Sequence, residues 1–153
     1  MDRALQDTYA PNNRCFGCGP SNDKGLRIKS FPIADGHVIV DFVPEPHHAA
    51  FDDVLNGGII GVLFDCHLNW TGISRLITER ALDHAPACVT AEFTVALKRP
   101  TPMGPLRIDA HVVSVQGDRF LVEGTMTAAG KITATGSGVF VAVKPGHPAY
   151  HRW

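Results

Sequence analysis

The spacing of apolar and polar residues changes character twice along the chain. Residues 26–31, Leu-Arg-Ile-Lys-Ser-Phe, alternate apolar with polar, and after a turn over 32–36 the alternation resumes at 37–43. A period of two buries one face of a strand, so this segment predicts a β-hairpin. Pro44 and Pro46 stop the second strand, since proline has no N–H to give a ladder, and a loop is expected from His47 to about Leu55. From Gly57 to Trp70 apolar residues fall on nearly every side, the pattern of a helix enclosed by other layers. Asn56 is a favourable N-cap for it. Thr71 and Gly72 are expected to end or bend it before a more polar turn over 74–82, and Pro86 breaks any helix beyond that turn.

Period two then returns over residues 88–97, 106–115, 120–127 and 132–143. The turns between them, around Pro100 to Gly104, Gln116 to Asp118 and Ala129-Gly130, suit antiparallel neighbours. The order ββαββββ predicts an α+β domain whose antiparallel sheet wraps one long central helix, its polar residues alternating outward. Residues 1–25, rich in Asn, Pro, Gly and Asp, are expected to form an irregular lead, and 26–153 a single domain.

Composition changes this picture in three ways. A charged fraction of 19% beside 44% apolar residues hints at buried surface beyond the core of one chain. Fourteen basic and fifteen acidic residues, with no long run of either, leave no electrostatic footprint for nucleic acid. The polar N-terminus lacks the apolar stretch of a signal peptide and no run is long enough to span a bilayer, so the expectation is a cytoplasmic protein, without membrane association, whose four cysteines stay reduced. Asn69-Trp70-Thr71 therefore carries no weight as a glycosylation acceptor.

Three segments point to a family. Leu55-Asn56-Gly57-Gly58 leads into the apolar helix, with Asp65 seven residues after the second glycine; Cys88-Val89-Thr90 opens a strand that ends Leu97-Lys98-Arg99-Pro100; and Gly104-Pro105-Leu106 opens the next. Together with the element order these resemble the hotdog acyl-CoA thioesterase superfamily, in particular the group that includes the phenylacetate-degradation thioesterases. The resemblance covers roughly residues 26–143. It implies a hotdog fold, hydrolysis of an acyl-CoA thioester without a cofactor, and a homodimer or dimer of dimers. It also implies that Asp65 acts as nucleophile or general base, shared across the dimer with the Gly57-Gly58 turn, and that Thr90 holds the attacking water. The lead Cys15-Phe16-Gly17-Cys18-Gly19, with Asn22 and Gly25-Leu26, resembles that of one hotdog subgroup.

The residues support this chemistry on their own terms. A carboxylate at Asp65, flanked by Leu63, Phe64 and Cys66, carries a desolvation cost and a raised proton affinity; the plainer reading is a buried acid satisfied by neighbouring donors. Gly57 and Gly58 leave free N–H groups at a helix start, where a developing oxyanion is stabilised; the plainer reading is a tight helix-start turn. Asn56 replaces the family's histidine and is either a cap or a substrate contact. Thr90 is either a hydroxyl near the acid or an ordinary β-former. Ala50 stands where many members carry an amide that orients water. His48 and Asp53 on the same loop are the candidates to replace it, with nothing in the sequence choosing between them, and His48 is also a candidate substrate contact. Lys98 and Arg99 suit CoA phosphates, unless they are merely solvated. The Cys15/Cys18 pair falls short of a metal site because four ligands are needed and no second pair exists, so no metal is expected. His67 points to another side of the helix from Asp65 and is expected to be a satisfied helix histidine, and the tail over 147–153, His151 included, to be mobile.

A second function class is open on the same residues. The departures at Ala50 and Asn56 suit a catalytically silent hotdog protein that binds acyl-CoA or another apolar ligand. A hydratase or dehydratase ranks last, because the histidine it needs beside the glycines is missing.

Overall fold

The computed structural model describes residues 2–153. Among the described residues, eight strands and two α-helices follow one another as α1 (Leu5–Tyr9), β1 (Ser30–Pro32), β2 (His37–Phe42), β3 (Ala49–Phe51), β4 (Val54–Leu55), α2 (Gly57–Glu79), β5 (Cys88–Leu97), β6 (Leu106–Gln116), β7 (Arg119–Ala128) and β8 (Lys131–Ala142), with short 3-10 turns at Ala34–Gly36 and Pro46–His48. Six strands form one sheet in the order β1-β2-β6-β7-β8-β5, every neighbouring pair antiparallel, while β3 and β4 form a small separate hairpin. Alternation decides which face turns inward: Phe120, Val122 and Met126 of β7 are buried and their neighbours are not. The 23-residue α2 lies across that inner face and supplies Leu63, Phe64, Leu68, Trp70, Ile73 and Leu76 to the core. The expected sheet wrapped around one central helix is the hotdog architecture found.

Four local expectations are corrected. The helix does not end at Thr71-Gly72 but runs on to Glu79. Thr71 turns its hydroxyl onto the His67 carbonyl at 2.8 Å, and a side chain on Gly72 would overlap the ring of Phe120, so this glycine serves close packing of helix on sheet. Residues 26–29 do not join β1. Their N–H groups turn to the lead instead, Leu26 to the Phe16 carbonyl at 2.8 Å and Ile28 to that of Gly17 at 3.1 Å, and Arg27 takes a positive φ of 52°. The lead is not wholly irregular, since it contains α1 and sends Leu5, Ala10 and Cys18 into the core. The tail, expected mobile, docks: Arg152 donates to the Cys88 carbonyl at 2.8 Å, and the Trp153 ring lies 5.1 Å from that of Trp70.

His67 is the satisfied histidine expected. Ser30 Oγ lies 2.9 Å from its Nδ1 and the Val38 carbonyl 3.0 Å from its Nε2, while Gln6 donates to Ser30. Total burial pushes its pKa down to about 4, so the ring is neutral, Nε2–H donating to Val38 and Nδ1 accepting from Ser30. This Ser-His pair is sealed from solvent and therefore structural.

Candidate active site

Asp65 and Thr90 meet where α2 crosses the edge strand β5. Thr90 Oγ1 donates to Asp65 Oδ1 at 2.6 Å. The contact depends on an irregularity in β5. The pairing with β8 shifts between Thr90 and Glu92, leaving Ala91 as an extra residue. Such a bulge reverses the faces of everything after it. Cys88 and Thr90 face the helix before it; Phe93, Val95 and Leu97 do so after it, while Thr94 and Ala96 line the outer face. A strict period of two would have aimed Glu92 at the helix.

The helix face along β5 is stripped of side chains. A Cβ on Gly57 would come 3.4 Å from a Leu97 methyl, and one on Gly61 4.0 Å from the Phe93 ring. Gly57, Gly61 and Asp65 thus form a stripe at a spacing of four, with Leu97, Phe93 and Thr90 beside them in reverse order. Asp65 is half-buried, and burial raises its carboxyl pKa, opposed by the Thr90 hydroxyl. Phe93 and Leu97 remain 41% and 57% exposed, so the stripe opens on an apolar, uncovered surface.

At the far end of the stripe the helix start is held from three sides. Asn56 is its N-cap, its side-chain oxygen accepting from the Ile59 N–H at 3.1 Å. A side chain on Gly58 would come 2.9 Å from that oxygen and disturb the cap. The Asn56 N–H donates to the His48 carbonyl at 3.0 Å, the Leu55 N–H to Thr101 at 2.9 Å, and the Met103 N–H to Asp53 at 2.9 Å. Among the described residues the N–H groups of Gly57 and Gly58 find no protein acceptor, as first-turn donors rarely do.

The remaining residues singled out by sequence divide. His48 is buried, its Nδ1 accepting from the Glu45 N–H at 3.0 Å and its ring stacked on Phe42, so it braces the loop from inside; burial lowers its pKa. Ala50 is exposed on β3, and Asp53 holds the tight turn after it with a positive φ of 60°. Lys98 and Arg99 come directly after Leu97 beside the helix start, both exposed, anchored through their N–H groups on the Thr133 carbonyl, and outside every ion pair among the described residues.

Sequence reasoning missed Cys66. It lies on α2 beside the Cys15-to-Cys18 turn, and the Sγ atoms of all three cysteines fall within 4.8 Å of one another, Cys15 to Cys66 at 3.7 Å. Hydrogen bonds from its two sulfur neighbours hold the Cys15 thiol far below its ordinary range, while those same contacts raise Cys66. No spacing rule joins residues so far apart in sequence; the only available signal was a cysteine next to the candidate acid.

The fold defines a class. The chain has the hotdog fold of thioesterase superfamily proteins. One such protein, from Shewanella loihica, is 28% identical over 92% of this chain and 100% of its own, with a TM-score of 0.68. The PaaI protein of the E. coli phenylacetic acid degradation operon shares the fold at 17% identity, over 78% of this chain and 81% of its own, with a TM-score of 0.65. A Bacillus halodurans protein whose structure was solved with CoA is 25% identical over 78% of this chain and 76% of its own, with a TM-score of 0.63. The chain spans 63% of a further, longer thioesterase superfamily protein. No protein-family model matches the sequence, and no curated protein does.

Proposed function

We propose that the protein is an acyl-CoA thioester hydrolase whose site is completed by a second copy of the chain. The observation that carries the reading is the 2.6 Å bond from Thr90 to Asp65 on an open face whose other end offers the free N–H groups of Gly57 and Gly58. The N–H pair at the helix start polarises the thioester carbonyl and stabilises its oxyanion. Two routes follow. Either Asp65 takes a proton from a water held by Thr90 while that water attacks the carbon, the proton passing on to the departing CoA sulfur. Or Asp65 attacks the carbon itself to form an acyl-aspartyl anhydride that a water then cleaves to the free acid, one proton of that water going to the CoA thiolate. Seven residues of helix separate Gly58 from Asp65 by ~10 Å, too far for one carbonyl to meet both within a chain. A partner's Asp65 closes the gap when two copies pack through the β5 face. Lys98 and Arg99, unpaired beside the helix start, receive the CoA phosphates, in keeping with the CoA in the Bacillus halodurans structure.

One observation favours ligand binding without turnover. The Asn56 oxygen is taken by its capping bond and Ala50 has no polar group, so neither offers a free oxygen to accept from a water. Hydrolysis of a panel of acyl-CoAs, compared between wild type and Asp65→Asn, decides between the two. Turnover that falls by at least ~100-fold in the variant supports the hydrolase, whereas CoA-ester binding with no hydrolysis by either protein rejects it.

A further inference from the structure

The sulfur cluster lies outside the chemistry proposed for Asp65 and stands on its own observations. We infer that Cys15, Cys18 and Cys66 form a binding site for a thiophilic divalent metal ion, Zn2+, with three thiolate ligands and one open position. The sequence argued against metal because the Cys15/Cys18 pair had no companion; the fold supplies one from α2.

Geometry is the first support. Two thiolates on one tetrahedral zinc, each at ~2.3 Å, sit about 3.8 Å apart. The Cys15 and Cys66 sulfurs are 3.7 Å apart, and Cys18 Sγ joins them within 4.8 Å. Backbone arrangement holds this convergence. The Gly19 N–H closes the turn onto the Cys15 carbonyl at 2.8 Å, and Gly17 lies so close to Cys66 that any side chain there would strike its sulfur. Cys18 and Cys66 are only 3% and 8% exposed, while Cys15 is half-buried and leaves a way in from solvent.

The groups around the sulfurs are the second, independent support. Cys18 Sγ accepts from Trp70 Nε1–H at 3.3 Å and from Asn13 Nδ2–H at 3.5 Å. Trp70 is fully buried, and it directs its single donor at a sulfur. A thiol is a weak acceptor and a metal-bound thiolate a good one, so these donors match the liganded form and fix the orientation of the sulfur. The fourth position falls to water or another small donor. Both ring nitrogens of His67 are engaged with Ser30 and Val38, and the Asp65 carboxylate is held by Thr90. On binding, Zn2+ replaces the thiol protons, which pass to solvent, with no change of oxidation state. The ion would pin the N-terminal lead to α2 one residue from Asp65.

The full-length protein, expressed in zinc-supplemented medium and purified without chelator, is expected to hold about one zinc per chain by elemental analysis. Co2+ added to the reduced, metal-stripped protein is expected to give thiolate-to-cobalt charge transfer and the intense visible bands of a tetrahedral ion. Cys66→Ser should abolish those bands and Cys88→Ser, which changes a buried cysteine outside the cluster, should keep them; circular dichroism of each variant establishes that it is folded. Wild-type protein that is folded and reduced, yet holds no zinc and gives no cobalt spectrum, overturns the inference. So does a Cys15 to Cys66 disulfide in protein purified under the same conditions, read as a loss of about 2 Da that reductant reverses.

Discussion

Thr90 and Asp65 are 25 residues apart and joined by a 2.6 Å hydrogen bond that ties the edge strand to the central helix. The hydroxyl can give its proton to the carboxylate and still accept from a water, which sets Thr90 between structure and chemistry. Thr90→Val keeps the shape and removes the hydroxyl, so turnover is expected to fall ~10-fold or more with little change in melting temperature. Thr90→Ser should recover most of it. Steady-state kinetics on the best acyl-CoA decides; equal rates for Val and wild type would remove Thr90 from the site.

Oligomeric state is the second test. Phe93 and Leu97 are exposed on an unpaired edge strand, an arrangement that proteins usually cover. Light scattering is expected to return a dimer or a dimer of dimers, and Phe93→Glu with Leu97→Glu to shift it toward monomer and abolish turnover together. A wild-type monomer near 16.5 kDa would end the shared-site reading.

Gly72→Ala tests the packing of helix on sheet. A methyl there overlaps the Phe120 ring, which is itself stacked on Phe140 at 5.7 Å, so the ring has little room to yield. Overpacking of this kind costs ~1–3 kcal/mol, measurable as a lower denaturant midpoint at unchanged slope. In the double variant Gly72→Ala with Phe120→Leu, part of the loss should return.

Much of the fold was legible because burial enforces period: the helix-facing residues of β7 and β8 are the alternating ones, and α2 is apolar on the sides that sheet and lead cover as well as along the open stripe beside β5. Thr71-Gly72 misled because glycine marks helix ends in sequence, and only the third dimension reveals the aromatic ring that demands it. The bulge at Ala91 was not legible: the sequence reads as unbroken alternation over 88–97, and only the pairing with β8 shows the helix-facing residues changing from even to odd numbers between Thr90 and Phe93. The Asp65 to Thr90 pair could be named only through family resemblance, and Cys66 could not be joined to Cys15 and Cys18, because both contacts are made by folding and not by spacing.

His48 gives a pH prediction. Burial lowers its pKa from the ordinary 6.5, helped by the charge of His47 and opposed by Glu45; Asp23 and Lys24 line the same hollow. A depressed folded pKa means that the unfolded chain binds the proton better, so the stability due to neutral His48 is complete above pH 6.5 and is lost as pH falls through the folded value. Protonation also ends the ability of Nδ1 to accept from Glu45. In His48→Gln, stability should fall less steeply below pH 6.5 than in wild type, and an NMR titration of the wild-type ring should have its midpoint below that pH.

The shared site makes a prediction that neither half of it makes alone. Asp65→Asn removes the acid and keeps the helix start. Gly57→Pro does the reverse: proline at the first helical position is well tolerated, and it deletes one of the two free N–H groups. The preceding Asn56, at φ −60° and ψ 131°, already has the backbone that a succeeding proline requires, and a Cβ at position 57 meets only a Leu97 methyl at 3.4 Å. Each variant alone should be folded and nearly inactive. When the two are unfolded together, refolded and isolated as heterodimers by differential tags, one of the two sites combines an intact Asp65 from one copy with an intact Gly57 from the other. Activity should then return to about half that of wild type per dimer, because the second site carries both lesions. Heterodimers that form, melt like wild type and stay inactive would place acid and helix start on one chain's chemistry and remove the interface from the mechanism.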